Sequence, residues 1–244
     1  MKTYIFSGKI LPERANVDVT PLEIDLSAGS ANFKGKAIIN ISVSQISVVL
    51  NVETDIDIFT MKNAVEHTVR VLIDTYGYIS GRGYDIEITS VVDPDNKQTV
   101  FGVGIPELEA DQKERPLHFS ETLQLALKSR QLQHAFFNLR EAIRSPWDTG
   151  FFCYRAIECI RQDFKETTGK DETKSWEKLR KNLKIEKSYF DKVIKFAFPQ
   201  RHGSMPEMTG AERVELMKSA WAVVDRYALY LQNGRKPLPL SDLK

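Results

Sequence analysis

The chain has 244 residues, 42% of them hydrophobic and 27% charged, ordinary proportions for a soluble globular protein with one large core or two smaller ones. The opening MKTYIFSGKI has no sustained apolar stretch of the kind a secretory leader needs. The most apolar run, AIINISVSQISVVLNV, is broken by Asn and Ser at strand spacing, which excludes a membrane-spanning helix there. The net charge of +1 is unevenly divided: residues 1–110 carry 9 Lys+Arg against 15 Asp+Glu, net −6, and residues 111–244 carry 25 against 18, net +7.

In chain order, residues 1–110 read as an α+β domain of mixed strands around one helix. KTYIFSGKI, LEIDL, FKGKAIINISV and QISVVLNVE are short Ile- and Val-rich runs separated by Pro, Ser and Gly. From Asp55 to Tyr76 the period becomes helical, with Ile58, Met61, Val65, Val69 and Leu72 on one face. GYISGRGYDIEITSVVD then returns to strand through a Gly-Arg-Gly turn, and QTVFGVGI adds another strand. Residues 111–118 form a charged linker, and residues 119–236 are almost wholly helical, leaving 237–244 as a tail. The expected helices run from Ser120 to Arg144 with a break near Ser129, from Asp148 to Lys165, from Trp176 to Leu183 and from Glu186 to Phe198. The last helix opens on Thr209-Gly210-Ala211-Glu212, a capping box, and closes on Asn233-Gly234 and Pro237.

Cys153 and Cys159 are six apart on one helix and so lie on different faces, where they cannot bridge each other. Unpaired cysteines on an apolar helix suit a reducing compartment, and a cytoplasmic protein is expected. Three kinds of chemistry lack their signatures. The glycines of GYISGRG and FGVGIP do not have the spacing of a phosphate-cradling loop, and there is no GxSxG elbow. His67, His118, His134 and His202 are scattered without an HExxH pair or a cysteine cluster, so no metal or cofactor is expected.

Two segments remain. In YRAIE, from Tyr154, the residues Arg155, Glu158 and Gln162 fall at i, i+3 and i+7 and make one polar stripe. As a surface feature this stripe holds only weak ion pairs; facing a site, Glu158 would orient a guanidinium or fix a histidine tautomer. In FPQRHG, Pro199 is expected to end the preceding helix at Phe198, leaving Arg201 and His202 on a connector. Arg201-His202-Gly203 then has two readings, a functional step on a loop or the polar cap of a helix.

From Ser120 onward, CYRAIECI, the Trp176 segment and RHG before the last long helix together resemble the HEPN superfamily of helical bundles. The resemblance covers the C-terminal half and implies an α+β protein with a HEPN-like bundle that dimerises. It implies RNA or a nucleotide as ligand, and metal-independent ribonuclease activity in a stress or phage-defence response. His202 would move the proton and Arg201 would neutralise the phosphorane, with Arg155, Glu158, Tyr154 and Lys195 in supporting or nucleic-acid-binding roles. The family motif separates Arg from His by four to six residues, whereas here the two are adjacent and Lys195 stands at the nearest matching separation. The alternative is a non-catalytic dimerisation or interaction protein whose N-terminal domain regulates it. Neither reading calls for a membrane partner.

Overall fold

The computed structural model describes residues 1–28, 33–53, 56–165, 172–204 and 208–239, with only the backbone path given for residues 27, 28, 33, 172 and 201. Two units are present, residues 1–102 and 103–244.

In the first unit the alternating runs form strands β1 (Lys2–Leu11), β2 (Val19–Ala28), β3 (Phe33–Ser42), β4 (Gln45–Val52), β5 (Asp85–Val92) and β6 (Gln98–Val100). They make one antiparallel sheet in the order β2-β3-β4-β1-β5-β6. Period two puts Tyr4, Phe6 and Ile10 of β1 and Ile46, Val48 and Leu50 of β4 on one face. There they share a core with Met61, Val65, Val69 and Ile73 of α1 (Ile58–Ser80). The opposite face of β1 presents Thr3, Ile5 and Ser7 to solvent. This is the expected α+β architecture.

α1 starts at Ile58 rather than Asp55 because Asp57 caps it, its carboxylate accepting from the Phe59 and Thr60 amides at 3.0 and 2.9 Å. It also runs through Gly77-Tyr78-Ile79-Ser80, which the sequence reads as strand. The reason lies at Gly77: Arg82 donates its amide to the Gly77 carbonyl at 2.9 Å, and a Cβ on residue 77 would lie 2.5 Å from the Arg82 oxygen. Only glycine lets the chain fold back so closely over the helix end.

Two local features of the sheet bear on its behaviour. β3 and β4 are joined by Val43 and Ser44, with φ of 50° and 62°. β2, at one edge, contains Pro21 within a register irregularity between Val19 and Leu22, and exposes Glu23 and Asp25.

The second unit is a helical bundle of α2 (Pro106–Ala110), α3 (Phe119–Lys128), α4 (Arg130–Arg144), α5 (Thr149–Arg161), α6 (Glu172–Leu183), α7 (Lys187–Arg201) and α8 (Gly210–Gln232). α8 supplies the middle of the core with Leu216, Met217, Ala220, Val223 and Tyr227, and α5 packs against α4, α7 and α8. The expected capping box is in place: Thr209 accepts from the Glu212 amide at 3.2 Å, and Glu212 accepts from the Thr209 amide at 2.9 Å. The break at Ser129 is also present. Its extended backbone separates α3 from α4, its hydroxyl accepts from the Leu132 amide, and the same hydroxyl lies 3.4 Å from the Tyr227 phenol. Arg213, at the start of α8, ties three segments together by donating to the Ala142 and Ile143 carbonyls and to the Thr149 hydroxyl.

The boundary differs from the sequence reading. Residues 103–118, expected as the end of the first domain plus a linker, belong to the helical unit, because Leu108 of α2 is buried in its core. Part of the expected tail is ordered too. Leu238 is buried and donates its amide to the Asn182 carbonyl at 2.8 Å, while Arg226 reaches the Leu183 and Pro239 carbonyls. Among the described residues no helix is long and apolar enough to cross a membrane.

Candidate functional site

α7 does not stop at Phe198. It passes through Pro199 and ends at Arg201, so Arg201 and His202 form a helix terminus rather than a free connector. Proline removes one amide near the end of the helix, and two sets of contacts offset that loss. Gln200 fastens the last turn to the start of α5, its Oε1 accepting from the Phe151 amide at 2.6 Å and its Nε2 donating to the Trp147 carbonyl. The backbone then closes in a Schellman arrangement, with the Ser204 amide donating to the Pro199 carbonyl at 3.0 Å and the Gly203 amide to Gln200 at 3.1 Å. Gly203 has φ +80°, the left-handed conformation this closure requires.

His202 is the capping residue and is exposed. Its ring lies 4.5 Å from that of Phe198, centroid to centroid and tilted by 55°, and Phe198 is itself 60% exposed. Lys195 is also exposed. Lys195, Phe198 and His202 fall at i, i+3 and i+7, and the Lys195 ammonium lies 5.1 Å from the Phe196 ring. Phe198 is the residue that sequence reasoning missed. The signal was there in Phe196-Ala197-Phe198: on one helix both rings cannot face the same neighbour, and Phe196 is the one packed against Gly150 of α5. The side chain of Arg201 lies outside the described residues.

The YRAIE residues form a different cluster. Glu158 is buried, with Arg155 Nη1 at 3.2 Å and Arg161 Nη2 at 3.7 Å from its two oxygens. Arg161 is 3% exposed, and its guanidinium lies 4.8 Å from the Trp176 ring. Trp176 in turn contacts Tyr154 at 6.1 Å and Phe190 at 5.5 Å. Of the expected stripe, Arg155 stays exposed, while Glu158 is buried and shared with Arg161, which lies off the stripe. Gln162 is exposed, and its side chain turns back to the Glu158 carbonyl. The expectation that Glu158 supports the Arg-His step needs correction as well. The end of α7 attaches at Phe151, and Glu158 lies two turns further along α5, about 10 Å down the axis.

Other reactive groups on α5 are muted. Cys153 is buried, and desolvation pushes its thiol up to about 12 against the pull of Arg213, which leaves it an inert apolar filler. Among the described residues, no group of three His, Cys, Asp or Glu side chains comes together in a way that would hold a metal ion.

Residues 4–101 match the N-terminal domain, and residues 119–232 the C-terminal domain, of a domain of unknown function, DUF8168. The two matched segments fall one within each structural unit. No curated protein matches the chain, and no solved structure matches it.

Proposed function

We propose that the helical unit recognises RNA or a nucleotide through the exposed face of α7, with Lys195, Phe198 and His202 as the contacting residues and Arg201 beside them. The carrying observation is the pair of adjacent exposed rings next to a lysine, on the half of the chain that carries net +7. Unpaired bases stack on aromatic and imidazole rings, and a nearby ammonium neutralises phosphate. The sharper form of the reading is metal-independent cleavage by a HEPN-like dimer in a stress or phage-defence response. In it the His202 imidazole accepts the 2′-OH proton while that oxygen attacks phosphorus. The 5′-oxygen leaves with a proton, giving a 2′,3′-cyclic phosphate.

The test is cleavage of a mixed RNA pool in EDTA. Wild type is expected to give cyclic-phosphate ends, and His202→Ala to lose about 10²- to 10⁴-fold of that rate. Because His202 is an exposed cap residue, the variant should melt within about 0.5 kcal/mol of wild type. Cleavage that survives the substitution removes His202 from the chemistry. Phe198→Ala separates recognition from cleavage, since lost stacking weakens RNA binding whether or not the bond is cut.

A second reading has its own observations. The backbone of the Arg201-His202-Gly203 step closes a helix cap, and α3 exposes Phe119, Leu123 and Leu127 at successive i+4 positions, 82%, 41% and 65% exposed. These favour a non-catalytic dimerisation or interaction module. Under that reading neither His202→Ala nor Phe198→Ala changes RNA binding, and Leu127→Asp shifts the sedimentation coefficient.

A further inference from the structure

α4 and α8 leave a groove of about 260 Å³ on the bundle surface. Phe136 and Leu139 of α4 and Trp221 of α8 are among its apolar walls, while Arg115, Arg140 and Asp225 supply its polar groups. The Arg115 guanidinium lies 5.9 Å from the Trp221 ring, and Arg140 shares its fork with Glu141 at 2.8 Å. Asp225 is the unusual member. It is partly buried beside apolar surface, and among the described residues no donor lies within hydrogen-bond distance of its carboxylate. Its carboxylate opens onto the groove rather than into the core, and a half-buried acceptor that the protein leaves without a donor can take one from a ligand.

The three parts of the groove define the ligand. Asp225 calls for paired N–H donors, the walls of Trp221 and Leu139 for a flat apolar body, and Arg115 with Arg140 for an anion. We propose that this groove binds guanosine 5′-phosphate, as a free nucleotide or as one residue of an RNA strand, with the guanine N1–H and N2–H donating to Asp225 and the phosphate at the two arginines. Adenine turns an acceptor nitrogen and a single amino group toward the carboxylate, so it forms one bond and meets one repulsion. The groove involves none of Lys195, Phe198 or His202, and its test is separate from the cleavage assay.

The measurement is equilibrium dialysis of the full chain against GMP, AMP and XMP, for wild type and for Asp225→Asn. Wild type should bind GMP at least about 10-fold more tightly than AMP, a preference that buried polar complementarity readily supplies. Asp225→Asn should lose guanine preference and gain XMP, because the new amide donates to the xanthine O2 while its oxygen still accepts N1–H. That exchange of base preference is a readout that a purely structural Asp225 would not move. Arg115→Gln should weaken all three nucleotides and leave their ratio unchanged. ApGpA run beside GMP separates the two sources, tighter ApGpA binding identifying an RNA residue and tighter GMP binding a free nucleotide. Equal affinity for GMP and AMP, no saturable GMP binding up to about 5 mM, or an Asp225→Asn protein that keeps the wild-type preference each overturns the proposal. If Asp225→Asn fails to fold, the wild-type comparison of GMP with AMP decides alone.

Discussion

Val43 and Ser44 turn the β3–β4 hairpin in left-handed conformations that Asn and Gly adopt at little cost and a β-branched residue does not. Neighbours hold the turn shut. Ser44 donates its amide to the Val17 carbonyl at 2.8 Å and accepts from the Ile10 amide at 2.7 Å, its hydroxyl accepts from the Val17 amide at 2.9 Å, and Asp18 accepts from the Val43 amide at 2.8 Å. Val43 itself is 58% exposed and contributes little packing in exchange for its strain. Val43→Asn should therefore stabilise the first unit by about 1 kcal/mol, read as a higher urea midpoint with an unchanged slope. A lower midpoint would mean that the valine methyls matter more than its φ. The place of this turn is legible, since FKGKAIINISV and QISVVLNVE read as separate strands on either side of Ser44, but its left-handed geometry is not. Neither turn position, Val43 or Ser44, is a Gly or Asn that would signal a positive φ, because contacts from residues 17 and 18 impose it and local propensity does not.

At the scale of the element, the junction of α5 with α7 decides where the histidine step sits. A Cβ on Gly150 would lie 2.8 Å from Gln200 Oε1 and 2.9 Å from Phe196 Cβ. In a free helix Gly→Ala adds stability, about 1 kcal/mol, but here the overpacking should reverse the sign. Gly150→Ala is expected to lower the thermal midpoint by the equivalent of about 1–3 kcal/mol and to loosen the last turn of α7. A raised midpoint would show that Gln200 and Phe196 move aside without loss. The same junction explains why Pro199 misled: proline ends a helix when nothing lies beyond it to hold, and here Gln200 grips α5. The YRAIE stripe misled for a related reason. Spacing placed Arg155, Glu158 and Gln162 on one face, where Arg155 and Gln162 are exposed, but the second partner of Glu158, Arg161, is covered by Trp176, which arrives from a different helix. The capping box at Thr209 and the break at Ser129 were legible because each depends on residues within a few positions.

At the scale of the whole molecule, composition and period carried the α+β reading and the division into an acidic and a basic part, since both are properties of summed local signals. The boundary was less legible: a charged, proline-containing stretch reads as a linker, and the burial of Leu108 with the contacts of Asp111 and Arg115 to α8 assigns it to the bundle. Stability with pH belongs at this scale too. Burial pushes the Asp225 carboxyl up to about 6 from an ordinary value near 4, with Arg115 pulling the other way. The charged groups around that groove are Arg115 from the segment ahead of α3 and Arg140 from α4, while on α8 itself Arg226 is taken up by the Leu183 carbonyl. Between about pH 4 and pH 6 the folded chain holds a proton that the unfolded chain has released, so the Asp225 contribution to stability falls as pH rises through that window. The loss is about 3 kcal/mol and levels off above the window. Denaturation midpoints from pH 4 to pH 8 should show this slope in wild type and lack it in Asp225→Asn. Equal slopes in both would place the titration elsewhere.

The edge of the sheet at β2 has a consequence for how the chain behaves when concentrated. Strands as rich in isoleucine and valine as β1, β3 and β4 are the raw material of cross-β fibrils, and an unprotected outer strand would template them. Pro21 withholds a ladder donor, the local irregularity takes the strand out of register, and the exposed Asp25 repels a second copy of itself, while Glu23 is paired with Lys36. At this edge the folded first unit thus offers an incoming chain no regular place to add.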